Sequence, residues 1–251
     1  LKIPHQHYKT TPQAYVDAHY VDFAPSMAEA SEGAIACGCG EKQLLSIDAL
    51  IVTGAPLELM LFEEVRYWKE LQDIWDWTEH CGIPTLNICW AAQAALHHFY
   101  GWEKRALSEK CFGIFAPHHP LLDGLGEIFP MPHSRHTEVC WGVADTKAAF
   151  SGSDTQFLPE GLEVLADSEV GQSIFYDATR QQTFVTGHLE YRADTLDGEY
   201  RRDQAKGLPI APPLHYYIED NPEKGIDFSW EETALLFYRN WLVAHLGGST
   251  C

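Results

Sequence analysis

The chain has 251 residues, 45% of them hydrophobic and 21% charged, a globular balance long enough for one large domain. Lys plus Arg total 17 against 36 for Asp plus Glu, a net charge of −19. That excludes the dense cationic footprint of nucleic-acid binding and the polybasic clusters that hold proteins to anionic membranes. An anionic ligand would need a few cations gathered in one pocket.

No apolar run approaches the ~20 residues that cross a bilayer. Leu1 to Thr10 has neither the apolar core nor the cleavage pattern of a signal peptide. Seven irregularly spaced cysteines argue against a disulfide framework and for a reducing cytoplasm. The Cys37-Gly-Cys39 pair lacks a second metal-binding half and reads as surface loop, so no metal is expected.

In chain order, Tyr15 to Phe23 suggests a short helix and Ala34 to Gly40 a loop. Ala49 to Thr53 is an apolar run stopped by Gly54-Ala55-Pro56, which suits a strand buried on both faces. Leu61, Val65, Trp68, Leu71 and Trp75 form one apolar stripe on a helix. Gly82-Ile83-Pro84 interrupts it, Thr85 to Ile88 reads as a second strand, and Trp90 to Tyr100 as a helix ended by Gly101. Strand, helix, strand, helix is the pattern of a parallel sheet flanked by helices.

Trp102 to Ser153 reads as loop, with prolines at 117, 120, 130 and 132. Strands follow at Leu162–Ala166, Ser173–Tyr176 and Thr183–Thr186. A helix starts at Asp194 and closes at Gly207, and Ser229 with Glu232 suggests a capping box on the last helix. The whole chain, 1–251, reads as one domain without a linker.

Two strand ends carry chemistry. In Leu86-Asn87-Ile88-Cys89-Trp90-Ala91-Ala92-Gln93 a cysteine sits where a strand turns abruptly into a helix, the pattern of a nucleophile elbow. The helix N-terminus favours a thiolate, and its N–H groups can hold an oxyanion. In Thr183-Phe184-Val185-Thr186-Gly187-His188-Leu189-Glu190, a second strand end delivers an imidazole with a carboxylate two residues on. Cys89, His188 and Glu190 thus supply nucleophile, base and orienting acid. Pro132 to Glu138, dense in polar residues, suggests a binding loop over the site. Spacing does not choose whether Arg201 or Arg202 faces the pocket.

These segments resemble the homoserine O-acyltransferase family, the homoserine transsuccinylases and transacetylases of methionine biosynthesis. The resemblance runs from about Ile47 to Trp241. It rests on Leu50 to Pro56, Ile88 to Ala94, Pro132 to His136 and Val185 to Tyr191, in the family's order. It implies a flavodoxin-like, class I glutamine amidotransferase-like α/β fold, with Cys89 carrying the acyl group and His188 and Glu190 assisting. It places substrate contacts at Lys110, Ser134 and Arg202, and the oxyanion donors are expected at Trp90 and near Leu57.

The residue two after Gly-Ala-Pro tracks the acyl donor in the family, glycine with succinyl and glutamate with acetyl. Glu58 therefore implies acetyl-CoA as co-substrate, with no permanent cofactor. Its carboxylate would repel the free carboxylate of a succinyl group. The resemblance also implies a homodimer. The family's N-terminal strand finds no match before His5, and the stretch from Ala34 to Lys42 is unusual for the family. Both leave serine open as an acceptor in place of homoserine. A homoserine O-succinyltransferase, a glutamine amidotransferase-like hydrolase and a non-enzymatic binding protein are the competing readings.

Overall fold

The computed structural model describes residues 12–20, 34–36, 44–118, 129–140 and 158–247. The Cys37–Cys39 pair lies outside them. Contacts gather the chain into two compact units, Leu1–Leu50 with Met60–Thr85, and Ile51–Leu59 with Leu86–Cys251.

In the first unit, helix α1 (Gln13–His19) buries Val16. Strand β1 (Ala34–Ala36), where small residues suggest a loop, pairs antiparallel with β2 (Leu44–Ser46). The apolar stripe from Leu61 to Trp75 is not one helix. Leu61 and Val65 flank a 3-10 turn, Phe62–Glu64, and Val65 is extended at φ −71, ψ 122. The α-helix, α2, runs Trp68–Cys81 and buries Trp68, Leu71, Ile74, Trp75 and Trp77. It ends at Gly82 in the left-handed region (φ 63), and the Ile83 N–H reaches back to the Thr78 carbonyl at 2.8 Å.

The main sheet has five strands in the order β3 (Leu50–Val52), β4 (Thr85–Ile88), β9 (Gln182–Val185), β8 (Gly171–Asp177), β7 (Leu162–Ser168). The sheet is mixed and flanked by helices. Its β7, β8 and β9 form an antiparallel meander. All four residues of β4 are buried, the polar Thr85 and Asn87 included. Strand β3 differs from the expectation of two buried faces: it lies at the sheet's edge, and Ile51 is 45% exposed.

Helix α3 (Trp90–Tyr100) packs on β9. Its alanines at 91, 92, 94 and 95 are fully buried, so backbone can approach backbone closely. Gly101, at φ 67, closes it.

The stretch after Gly101 is the largest departure from the sequence reading. It forms two long antiparallel strands, β5 (Glu103–Phe115) and β6 (Met131–Cys140). Pro132 to Glu138 is therefore strand: Pro132 to Arg135 and Thr137 are buried, Glu138 is half-buried and His136 is exposed. Pro132 is accommodated because it is the second residue of β6, in a two-stranded ribbon. A register shift leaves residues 107–110 of β5 opposite His136 alone, a wide bulge that ends at Lys110.

Helix α4 (Thr195–Ala205) follows from its N-cap, Asp194. It is seated by a cluster in which Leu196, Phe112, Ile114, Tyr216, Tyr217 and Trp230 are all buried. The last helix, α5 (Glu231–Leu246), starts at Trp230 without a side-chain cap, so the Ser229/Glu232 box does not form. The Trp230 indole N–H instead donates to the Tyr191 carbonyl at 2.9 Å.

Candidate active site

The turn between β4 and α3 holds Cys89 at φ 53, ψ −115, a conformation that non-glycine residues rarely adopt. Such strain persists only where the surroundings enforce it. Here the Cys89 N–H donates to the Val185 carbonyl at 2.7 Å. Buried Asn87 donates to the Gln182 side chain at 3.0 Å, tying β4 to β9. A Cβ on Gly54 would lie 3.2 Å from Cys89 Cβ and 3.6 Å from His188 Cε1, so the Gly54 backbone abuts both reactive groups.

His188 stands just beyond β9, its N–H donating to the Pro132 carbonyl at 2.8 Å. Its Nδ1 lies 2.6 Å from Glu190 Oε1. That bond engages one ring nitrogen and leaves Nε2 for Cys89. Cys89 and His188 are 3% and 6% exposed. Burial pushes the imidazole pKa down, but the Cys89 sulfur and then Glu190 outweigh it and bring it up to about 10. The arrangement favours an imidazolium beside the Cys89 sulfur. The three residues read from two strand ends meet in one place.

The Tyr191 ring lies on the His188 ring, centroids 4.0 Å apart and planes 16° apart. Its hydroxyl donates to Glu199 Oε1 at 3.1 Å. Glu199 Oε2 accepts from Ser134 Oγ at 2.6 Å and from Lys110 Nζ at 3.2 Å. The ammonium of Lys110 also sits 3.9 Å above the Phe112 ring. Lys110 and Ser134 thus converge, from β5 and β6, on a carboxylate that the sequence pattern does not single out. Glu199 sits mid-helix in an acid-rich stretch, and nothing local separates it from Asp197 or Asp203.

Other expected residues stand apart from this cluster. Arg202 pairs with Asp203 at 2.7 and 2.9 Å and its side chain is 54% exposed. Arg201 pairs with Asp197 at 2.6 Å. Arg202 lies near enough to Glu199 to feel its charge. The Leu57 N–H donates to the Ala55 carbonyl at 2.8 Å, so this amide is committed locally. Trp90 opens α3, where first-turn amides point out of the helix end. Glu58 Oε2 accepts from the His136 N–H at 2.5 Å, which fixes its carboxylate against β6. Among the described residues no cluster of metal-binding side chains is present, and no helix is long and apolar enough to cross a membrane.

Fold and site together define an α/β protein of the class I glutamine amidotransferase-like kind with a cysteine–histidine–glutamate centre. Solved glutamine amidotransferases share the fold: one from Thermotoga maritima at TM-score 0.54 and 15% identity, covering 78% of this chain and 77% of its own. Another, from Methylobacillus flagellatus, has TM-score 0.54 and 12% identity, covering 78% and 76%. The family model for homoserine O-succinyltransferase matches residues 1–246. A homoserine O-acetyltransferase of Bacteroides fragilis is 40% identical over 249 residues, 96% of this chain and 72% of that protein. A homoserine O-acetyltransferase of Acetivibrio thermocellus is 46% identical over 201 residues, 78% of this chain and 62% of that protein. The chain belongs to the homoserine O-succinyltransferase family and is an acyl-CoA-dependent transferase.

Proposed function

We propose that the protein moves an acetyl group from acetyl-CoA to the hydroxyl of L-homoserine through a thioester on Cys89. The observation that carries this reading is the strained cysteine facing an imidazole that Glu190 orients. The thiolate attacks the acetyl-CoA carbonyl, with the α3 N-terminus at Trp90 holding the oxyanion. The bond to the CoA sulfur breaks, and the His188 imidazolium gives that sulfur its proton. His188 then takes the proton of the homoserine hydroxyl, whose oxygen attacks the thioester and expels the Cys89 thiolate.

The amino-acid end needs an anion and a cation. Glu199, already fixed by three donors, offers its carboxylate to the acceptor's ammonium. Arg202, once released from Asp203, offers a bidentate partner to the acceptor's carboxylate. Glu58 limits the donor side to acetyl: its carboxylate, pinned to the His136 amide, would face the free carboxylate of a succinyl group. Free thiols at Cys81, Cys89, Cys111 and Cys140 suit a reducing cytoplasm.

The test is thiol release from acetyl-CoA with homoserine, serine or no acceptor, alongside intact mass of the enzyme after acetyl-CoA alone. Expected are an acetylated protein and release fastest with homoserine. Cys89→Ala should lose at least about a thousandfold in rate and show no acetyl adduct. Faster release with serine would keep the mechanism and change the acceptor. Turnover surviving in Cys89→Ala would end the proposal.

A further inference from the structure

The cluster around Glu199 and the pair Cys89–His188 share one residue, Tyr191, which neither the sequence pattern nor the acyl-transfer steps require. Its ring covers one face of the His188 imidazole at 4.0 Å and 16°, while its hydroxyl is spent on Glu199 at 3.1 Å. Burial, and then Glu199, push the phenol pKa well up, so the hydroxyl stays a donor across the working range. The Tyr191 N–H also bonds the His188 carbonyl at 3.2 Å, and its carbonyl accepts from the buried Trp230 indole. The residue is therefore held at both backbone ends with its side chain bridging two subsites.

We infer that Tyr191 is a positioning residue that couples occupancy of the amino-acid subsite to the charge state of the catalytic imidazole. The phenol face is electron-rich and favours imidazolium over neutral imidazole. Through Glu199 the same ring is tethered to the carboxylate that meets the acceptor's ammonium. An acceptor that draws Glu199 toward itself alters the hydroxyl's partner, and with it the seat of the ring on His188. In the acetyl-enzyme His188 has already given up its proton, so the seat of the ring sets how readily the imidazole takes up the proton of the acceptor hydroxyl. The groups facing His188 are Cys89 from the β4–α3 turn, Glu190 from its own loop, His133 from β6 and Tyr191. Tyr238 of α5 is within reach of the Glu190 charge. Tyr191 alone among these also bonds the amino-acid subsite.

This coupling rests on the acyltransferase reading, but part of its test does not. Alkylation of Cys89 by iodoacetamide, followed against pH, reports the thiolate–imidazolium pair with no acyl donor or acceptor present. Tyr191→Phe keeps the stack and loses the tether. With the tether gone, its alkylation profile should no longer shift on addition of homoserine, as the parent's does, while the acceptor KM rises roughly tenfold and the acetyl-CoA half-reaction changes less than about twofold. Tyr191→Leu loses the stack. The upper apparent pKa of its alkylation profile should move down by about half a unit or more, and its half-reaction should slow. An unchanged acceptor KM in Tyr191→Phe overturns the tether, and an unchanged alkylation profile in a folded Tyr191→Leu overturns the stack. If the parent enzyme alkylates as expected yet fails to turn over homoserine, it is the acceptor assignment that falls, and the coupling is then judged on the alkylation arm.

Discussion

Two imidazoles, His188 and His133, lie close enough for their charges to interact, yet their surroundings push them in opposite directions. His188 gains from the Cys89 sulfur and Glu190 and is held up near 10. His133 is fully buried, neither ring nitrogen has a hydrogen-bond partner among the described residues, and burial followed by Arg135 and His188 drives its pKa well down. A buried group that stays neutral while its unfolded form titrates near pH 6.5 makes a signed contribution. The unfolded chain binds the proton and the folded one does not, so this stability is present above about pH 6.5 and lost as pH falls below it. Each pH unit below that point costs up to about 1.4 kcal/mol. Denaturant unfolding of His133→Leu between pH 7 and pH 5 should show a flatter decline than the parent. Equal slopes would mean that His133 finds a proton partner in the folded state. The β6 motif His133-Ser134-Arg135 announces polarity but not orientation: Ser134 bonds Glu199, while Arg135 is buried and donates to the Thr137 and Val170 carbonyls.

At the scale of elements, the sequence is most readable where one periodicity dominates. Strand β4 and helix α3 match their expected limits, because Gly82-Ile83-Pro84 bounds the strand and Gly101 closes the alanine-rich helix. The β5–β6 ribbon escapes such a reading because its prolines look like loop signals, and because a ribbon packed on α3 mixes polar residues into a buried face. The candidate trio is legible since Cys89 directly follows β4 and His188 and Glu190 lie in the short loop after β9. Glu199 is not, since its meaning comes from Lys110 and Ser134 on two strands that the sequence pattern hides. Glycine positions test this packing with opposite signs. A Cβ on Gly187 would fall 2.4 Å from Met131 Sδ and 2.8 Å from the Pro132 carbonyl, whereas one on Gly198 within α4 meets nothing within 4 Å. Gly187→Ala should destabilise by about 1–3 kcal/mol through overpacking and displace His188 from Pro132. Gly198→Ala should raise stability by up to about 1 kcal/mol through helix propensity alone. Thermal unfolding of the two variants checks the contrast, and a stable, fully active Gly187→Ala would show that β6 and the His188 loop slide past one another freely.

For the whole molecule the decisive quantity is a net charge of −19, carried by a transferase whose donor is a polyanion. Several of the described cations are already paired within the protein: Arg105 with Glu138, Lys110 with Glu199, Arg180 with Asp177, Arg201 with Asp197 and Arg202 with Asp203. The long-range field therefore repels the acyl-CoA donor as it approaches. Homoserine, a zwitterion without net charge, feels little of it. Screening acts on the first and not on the second, since the Debye length shrinks from about 30 Å at 0.01 M salt to about 8 Å at 0.15 M. Over that range the KM for acetyl-CoA should fall by roughly twofold to fivefold while the KM for homoserine holds. Steady-state kinetics at fixed pH and varied sodium chloride measure both. A KM for acetyl-CoA that rises with salt would mean that local cations at the mouth of the site outweigh the field of the whole chain, and substitution of those cations would then be the way to find them.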